Sequence, residues 1–392
     1  MTEADLRNRL LGDAVPGEVE AGQRTWKVIL AAYGARERVP WIERHSRAVL
    51  ALAVVAALAV AAVTPPGRAL VDRLRDQVGG ETPSEPALVR LPAKGRLLVQ
   101  SSRGPWVARQ DGSKRRLGAY GEASWSPRGL FVVATRGHQV VALEPDETDH
   151  VRWTVTRPGN VADARWAPSG FRIAYREADS LRVVVGNGED DHLLVPVVAP
   201  VAPAWKPESA RNVLAYGDSH GRVHVIDVDT REKLWTTSAG PALTHLAWSA
   251  DGSRLVALSL GERQRIFNAQ GRSAGSLDLP PGHLAVGAAF APTGRTLAYI
   301  DFDLARDHSD VVVVDEHGAT RMLFGIRGRL EDIVWSPNGR WLLVTLPAAD
   351  QWLFLRTPGG RGLTTVPHIT REFNPGGTGP RPFPRVEGWI GG

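Results

Sequence analysis

The chain has 392 residues, 43% hydrophobic and 23% charged, which allows a large core and rules out wholesale disorder. It has no cysteine, which excludes disulfides, thiolate nucleophiles, Cys-ligated zinc and iron–sulfur clusters, while 41 Gly and 28 Pro favour many turns over long helices. The net charge of +5 is spread thinly along the chain, without the concentrated basic stripe of a nucleic-acid binder. The best basic candidate, Lys114-Arg115-Arg116, reads more simply as a solvated outer strand, so no nucleic acid is expected.

Residues 1–47 read as two short amphipathic helices. Thr2-Glu3-Ala4-Asp5 fits a capping box ahead of Leu6, Leu10 and Leu11. Trp26, Ile29, Leu30 and Tyr33 then form one apolar stripe at i, i+3, i+4, i+7. A segment this small cannot bury that stripe alone. It is expected to lie on a membrane surface or to dock on a cytoplasmic protein partner.

Ala48 to Val63 is an apolar run of sixteen residues without a charge, preceded by Arg47 and followed by Thr64-Pro65-Pro66-Gly67-Arg68. It is short against the ~20 residues of a full span, but flanking arginines can snorkel. A cleavable signal peptide would place it nearer the N-terminus, despite the A-x-A string Ala59-Val60-Ala61. A buried core helix lacks amphipathic neighbours. The expectation is a single transmembrane helix over 48–64. Arg36, Arg38, Arg44 and Arg47 on its N-terminal side outnumber Arg68, Arg73 and Arg75, which keeps the N-terminus cytoplasmic and the rest extracytoplasmic. Residues 65–94 follow as a short juxtamembrane helix and a Pro/Gly-rich linker.

From residue 95 the sequence repeats. An apolar residue, a spacer, an aromatic and a Pro/Gly turn recur as Ala123-Ser124-Trp125-Ser126-Pro127-Arg128-Gly129 and Ala164-Arg165-Trp166-Ala167-Pro168-Ser169-Gly170. A degraded copy, Pro203-Ala204-Trp205-Lys206-Pro207, precedes Leu246-Ala247-Trp248-Ser249-Ala250-Asp251-Gly252. Ala288-Ala289-Phe290-Ala291-Pro292-Thr293-Gly294 and Ile333-Val334-Trp335-Ser336-Pro337-Asn338-Gly339 complete six copies, spaced 41, 39, 43, 42 and 45 residues apart. Proline presets the turn, glycine accepts positive φ, and the aromatic fills the thick space between neighbouring sheets. Four short strands per repeat is the period of a propeller blade.

These motifs resemble the WD40-like propeller repeat of the TolB family, with its W-S-P-D-G turn, over residues 95–390. The turn aspartate survives only at Asp251, with Asn338 in its place in the last copy. The resemblance implies a propeller and protein–protein contacts at the envelope; it says nothing of an activity, because the repeat is the scaffold itself. At the ends, residues 95–117 read as three strands with no aromatic strand before them, and Arg385–Ile390 as a lone aromatic strand. Joining them gives an all-β, seven-bladed β-propeller over 95–392, closed by the C-terminal strand; six blades is the alternative if the tail only drapes across a face.

No catalytic, cofactor-binding or metal residue is expected. Gly217-Asp218-Ser219-His220-Gly221 and Gly271-Arg272-Ser273-Ala274-Gly275 match G-x-S-x-G, but no helix follows either string and no hydrolase domain remains. Asp301–Asp310 opens with a D-x-D calcium-loop start, yet Ala305 and Arg306 occupy positions an EF-hand cannot spare, so a solvated hairpin tip is expected. Asn187–His192 reads the same way, and Asp227–Trp235 shows only one copy of a quinoprotein-like element. The chain is therefore expected to be a membrane-anchored, non-catalytic interaction protein of the cell envelope, binding a protein or ligand at a propeller face and signalling through residues 1–47. The competing expectation is a hydrolase or lyase at the central channel. Clustered carboxylates and histidines in the channel would mark it, and the sequence places no such cluster.

Overall fold

The computed structural model describes residues 90–148, 150–207, 210–357, 362–375 and 382–391. The segments expected at 1–47, 48–64 and 65–89 lie outside the described residues. Among the described residues, no helix is long and apolar enough to cross a membrane.

Each aromatic-turn copy is built from the same local chemistry. In blade 7 the Ser336 hydroxyl accepts the Trp341 amide at 2.9 Å and donates to Asn338 Oδ1 at 2.8 Å, while Gly339 N donates to Ser336 O at 2.9 Å. Gly339 sits at φ 65°, a left-handed conformation that a Cβ would strain. Ser126 and Ser249 accept the amides of Phe131 and Arg254 in the same way. Ala167, Lys206 and Ala291 stand where the serine would, so blades 3, 4 and 6 lack that side-chain clasp.

The turns fold the chain into seven four-stranded antiparallel sheets. Blade 2 spans residues 123–156, blade 3 161–195, blade 4 204–236, blade 5 243–278, blade 6 283–327 and blade 7 333–367. Blade 1 joins Arg385–Ile390 to Arg96–Ser101, Gly104–Arg109 and Lys114–Arg116, in that order. The closing strand pairs Arg96 with Ile390 and Gln100 with Arg385. Seven blades with C-terminal closure is the arrangement expected from the sequence.

The first strand of every blade touches the first strand of the next in an unbroken ring, which places those seven strands around the axis. Apolar side chains pack between adjacent blades, as where Leu98 and Val107 of blade 1 meet Val132 and Val141 of blade 2. The repeated aromatics staple this packing. Trp205 Nε1 donates to Arg165 O and Trp335 Nε1 to Ala289 O, each reaching back to the preceding blade.

Two features depart from expectation. Residues Ile369–Phe373, between blade 7 and the closing strand, form a short helix whose Phe373 packs on Trp106 and Trp352. It also holds Lys114, which pairs with Glu372 and lies 5.4 Å from the Phe373 ring, so the Lys114–Arg116 trio is not simply a solvated strand. Of the long loop expected over Asn374–Pro384, Asn374 is buried and accepts from the Ser102 hydroxyl, while residues 376–381 lie outside the described residues.

Candidate functional site: the two ends of the central channel

All seven innermost strands run in one sense, so each ends at its aromatic on one face and begins on the other. At the aromatic end the turn prolines and indoles surround a cavity of about 590 Å³, lined by Trp125, Trp166, Trp205, Pro127, Pro168 and Pro207 among others. Further along two of the turns that line it, Leu130 and Phe171 occupy equivalent positions and are 61% and 68% exposed. Cations share this ring of turns. Arg128 and Arg340 are exposed, and the Lys206 ammonium lies 5.9 Å over the Trp248 ring. The chain also joins the propeller on this face, where Leu91 N donates to Gln110 O. This end of the channel is therefore concave and partly apolar, with large apolar side chains exposed on its turns.

The opposite half of the channel differs. Three residues before the aromatic, successive innermost strands carry Glu122, Asp163, Ala202, His245, Gly287 and Asp332. The closing strand adds Arg385 and Glu387, and Arg165 comes from one residue before Trp166. Register skips re-aim several of these side chains. In the closing strand the pairing jumps from Gly388 to Val386, leaving Glu387 unpaired, and in blade 3 it jumps over Asp163 and Ala164. Asp163 itself sits at φ 54°, with its amide donating to Glu122 Oε2 at 2.7 Å and its carboxylate accepting from Arg176 Nε at 2.5 Å.

Burial governs the electrostatics here. It pushes the Asp332 carboxyl up to about 6, against the opposing pull of the Val386 amide, which donates to Asp332 Oδ2 at 2.9 Å, and of Arg385. The Glu387 carboxyl is raised by burial too, reinforced by Glu122 and Asp163 and opposed by Arg165 and Arg385. His245 is pushed down to about 4, by burial and then by the Arg165 charge, so its ring is neutral at pH 7. Arg165, Thr244 and His245 form the polar wall of a second cavity of about 310 Å³. Carboxylates and arginines of blades 1, 2, 3 and 7 therefore act on one another here, and His245 joins them only through Arg165.

The other sequence candidates resolve as structural groups. Gly217–Gly221 is a hairpin turn in which Asp218 Oδ1 accepts the His220 and Arg222 amides, and no helix follows it. Gly271 and Ser273 belong to the turn and outer strand of blade 5. In 301–310, Asp301 Oδ1 lies 2.9 Å from His283 Nδ1, Asp310 Oδ1 lies 3.0 Å from His308 Nε2, and Asp303 Oδ2 accepts from Arg306 at 2.8 Å. Asp303 also accepts the amides of residues 305 and 306, which makes the segment a hairpin in which Asp301, Asp303 and Asp310 are already engaged. Asp191, at the end of the second acidic stretch, ties Tyr175, Arg157 and Arg182 between blades. Asp227–Trp235 contributes Trp235 to the blade 4–5 core, against Trp248 and Phe267. Among the described residues, three potential metal donors converge only at Glu144, Glu147 and His150, on an outer loop of blade 2.

No protein-family model and no curated protein matches the chain. Solved structures do. The β-propeller domain of Myceliophteria thermophila Cps50 (Swd1) matches with a TM-score of 0.50 and 13% identity, over 63% of this chain and 86% of that one. A chain of the mitotic checkpoint complex matches with a TM-score of 0.50 and 16% identity, over 62% and 77%. Kuenenia stuttgartiensis hydrazine synthase is similar at a TM-score of 0.47 and 17% identity, over 60% and 75%. At these identities the likeness is one of fold: a seven-bladed β-propeller with WD40-like structural neighbours.

Proposed function

We propose that the chain is a non-catalytic interaction protein of the TolB-like propeller type, anchored in the cell membrane by residues 48–64, with its propeller extracytoplasmic. Its aromatic-turn face binds a protein partner in the envelope, and residues 1–47 dock a cytoplasmic partner and pass on occupancy. The single observation that carries the binding role is the 590 Å³ well with Leu130 and Phe171 exposed further along its turns. Neither side chain is needed for the core, yet both hold apolar area in water at a cost that a partner would relieve. The nearby Arg128, Arg340 and Lys206 favour a partner segment that flanks a bulky apolar residue with acidic ones.

Two measurements test this. The absence of native cysteine allows Thr2→Cys and Asn338→Cys to be labelled in intact cells with a membrane-impermeant maleimide. Labelling at 338 alone is the expected result, and labelling at 2 alone would sink the exported propeller. Leu130→Asp with Phe171→Asp is then expected to abolish recovery of the partner that cross-links to wild type, with the fold intact by circular dichroism. Unchanged recovery would discard this face as the docking surface.

A second reading, a hydrolase or lyase working in the channel, is favoured by one specific observation. Asp332 and Glu387 are titratable groups with displaced pKa values that act on each other and on Arg385, and His245, also displaced, shares Arg165 with Glu387. Turnover that disappears in Asp332→Asn and His245→Gln, while partner recovery persists, would select it.

A further inference from the structure

The charges at the far half of the channel are unevenly matched. Glu122, Asp163, Asp332 and Glu387 act on one another and on Arg165 and Arg385 across the ring, with Glu331 adding to the field at Asp332. Arg176 is committed to Asp163. Arg165 spends a guanidinium donor on Ala164 O at 3.0 Å, and Arg385 approaches Glu387 only to 3.7 Å, beyond hydrogen-bond reach.

A second observation is independent of that count. The Glu387 side chain is 6% exposed, and its Oε1 is buried with no hydrogen-bond donor. A buried carboxylate oxygen left without a donor is costly, and Glu387 is the residue that the register skip in the closing strand leaves unpaired. A ligand carrying N–H donors and a positive charge would satisfy both the missing donor and the carboxylate excess. A bare metal ion fits less well, because among the described residues three metal donors converge elsewhere, at Glu144, Glu147 and His150.

We propose that the far half of the channel binds an ammonium or guanidinium group, held by the carboxylates of Glu387 and Glu122 with Asp332 behind them. The cation is either a free small molecule or a lysine or arginine side chain that a partner inserts from the far face. This inference does not rest on the aromatic-turn face being a docking surface.

The test uses the full chain at constant ionic strength, titrated with n-butylguanidinium and n-butylammonium and followed by ligand-observed NMR. Tetramethylammonium, which has no N–H, and manganese(II) serve as comparators. Saturable binding of one of the first two cations is expected, weakened about tenfold in Glu387→Gln and in Glu122→Gln. Should Glu387→Gln fail to fold, Glu122→Gln carries the test, since Gln keeps the acceptor that Asp163 N uses. A short peptide with one internal arginine separates the sources. Tighter binding of the peptide than of n-butylguanidinium assigns a partner side chain, and equal or weaker binding assigns a free cation. The proposal is overturned if neither alkyl cation saturates at millimolar concentration, if tetramethylammonium or only manganese(II) binds, or if the folded variants bind as wild type does.

Discussion

At one end of the channel the innermost strands finish in tryptophan and proline; at the other they begin in carboxylate, arginine and histidine. The same strands supply both ends, but under different constraints. The aromatic end must make a turn and fill the space between sheets, so nearly every blade repeats the same residues there. The far end follows loops of varied length, and no two neighbouring blades place the same side chain three residues before the aromatic. Repetition in this molecule marks scaffold, and departure from it marks where specific chemistry can sit.

The comparison breaks most severely if the ring is opened. Deleting residues 385–392 removes the innermost strand of blade 1, together with Arg385, Glu387 and the buried Trp389. Burial of one such indole alone is worth about 3–5 kcal/mol. The truncated chain is expected to lose its cooperative urea transition and to bind a hydrophobic dye. A transition with the wild-type midpoint would mean that closure is dispensable to both ends.

Next in size is the pH dependence of the far end, where two groups pull oppositely. Asp332, raised to about 6 in the fold, stabilises below the ordinary aspartate range, and that contribution is lost as pH rises through 6. His245, lowered to about 4, contributes stability above the ordinary histidine range that is lost as pH falls towards 4. Relative to wild type, Asp332→Asn should therefore gain stability between pH 4 and 6, and His245→Gln should gain it as pH falls from 6.5 to 4. Each change is of order 2–3 kcal/mol at most. Urea melts across pH 4–7 read both, and two flat differences would remove these groups from the electrostatics of the channel.

Smaller effects sharpen the aromatic end. Ser336→Ala removes the hydroxyl that accepts the Trp341 amide, and about 1–2 kcal/mol should go with it. Ala167 already lacks that hydroxyl, so Ala167→Ser tests whether the clasp can be restored in blade 3. Phe171→Asp should stay within about 0.5 kcal/mol of wild type, because its side chain is mostly in water. A large loss there would make Phe171 a core residue and remove it from the binding surface.

The blade count and the closure by Arg385–Ile390 were legible because each depends on local pattern: an aromatic, a turn and alternating strands at even spacing. The channel cluster was not. Its members are spread over blades 1, 2, 3, 5 and 7, so the carboxylates that act on one another across the ring lie about forty residues or more apart and no short window of sequence shows the cluster whole. The repeats carried a usable signal. Aligning the copies on Trp125, Trp166, Trp205, Trp248, Phe290 and Trp335 puts Glu122, Asp163, His245 and Asp332 in one column. Glu387 escapes even that alignment, since only the register skip in the closing strand brings it to bear. The Ile369–Phe373 helix was missed because it is a single turn held by packing on Trp106 and Trp352 rather than by helix propensity.

Pairing Arg96–Ser101 with Arg385–Ile390 also sets a timetable for synthesis. Blades 2 to 7 can form in order as they leave the ribosome, each from contiguous sequence. Blade 1 must wait with an open edge until residues 385–390 have emerged, and strand edges left open are where nascent chains mispair. The one blade that makes the ring whole is thus also the last of the seven to be completed. Its Arg96–Ser101 strand, made early, is the segment that a chaperone would have most reason to shield.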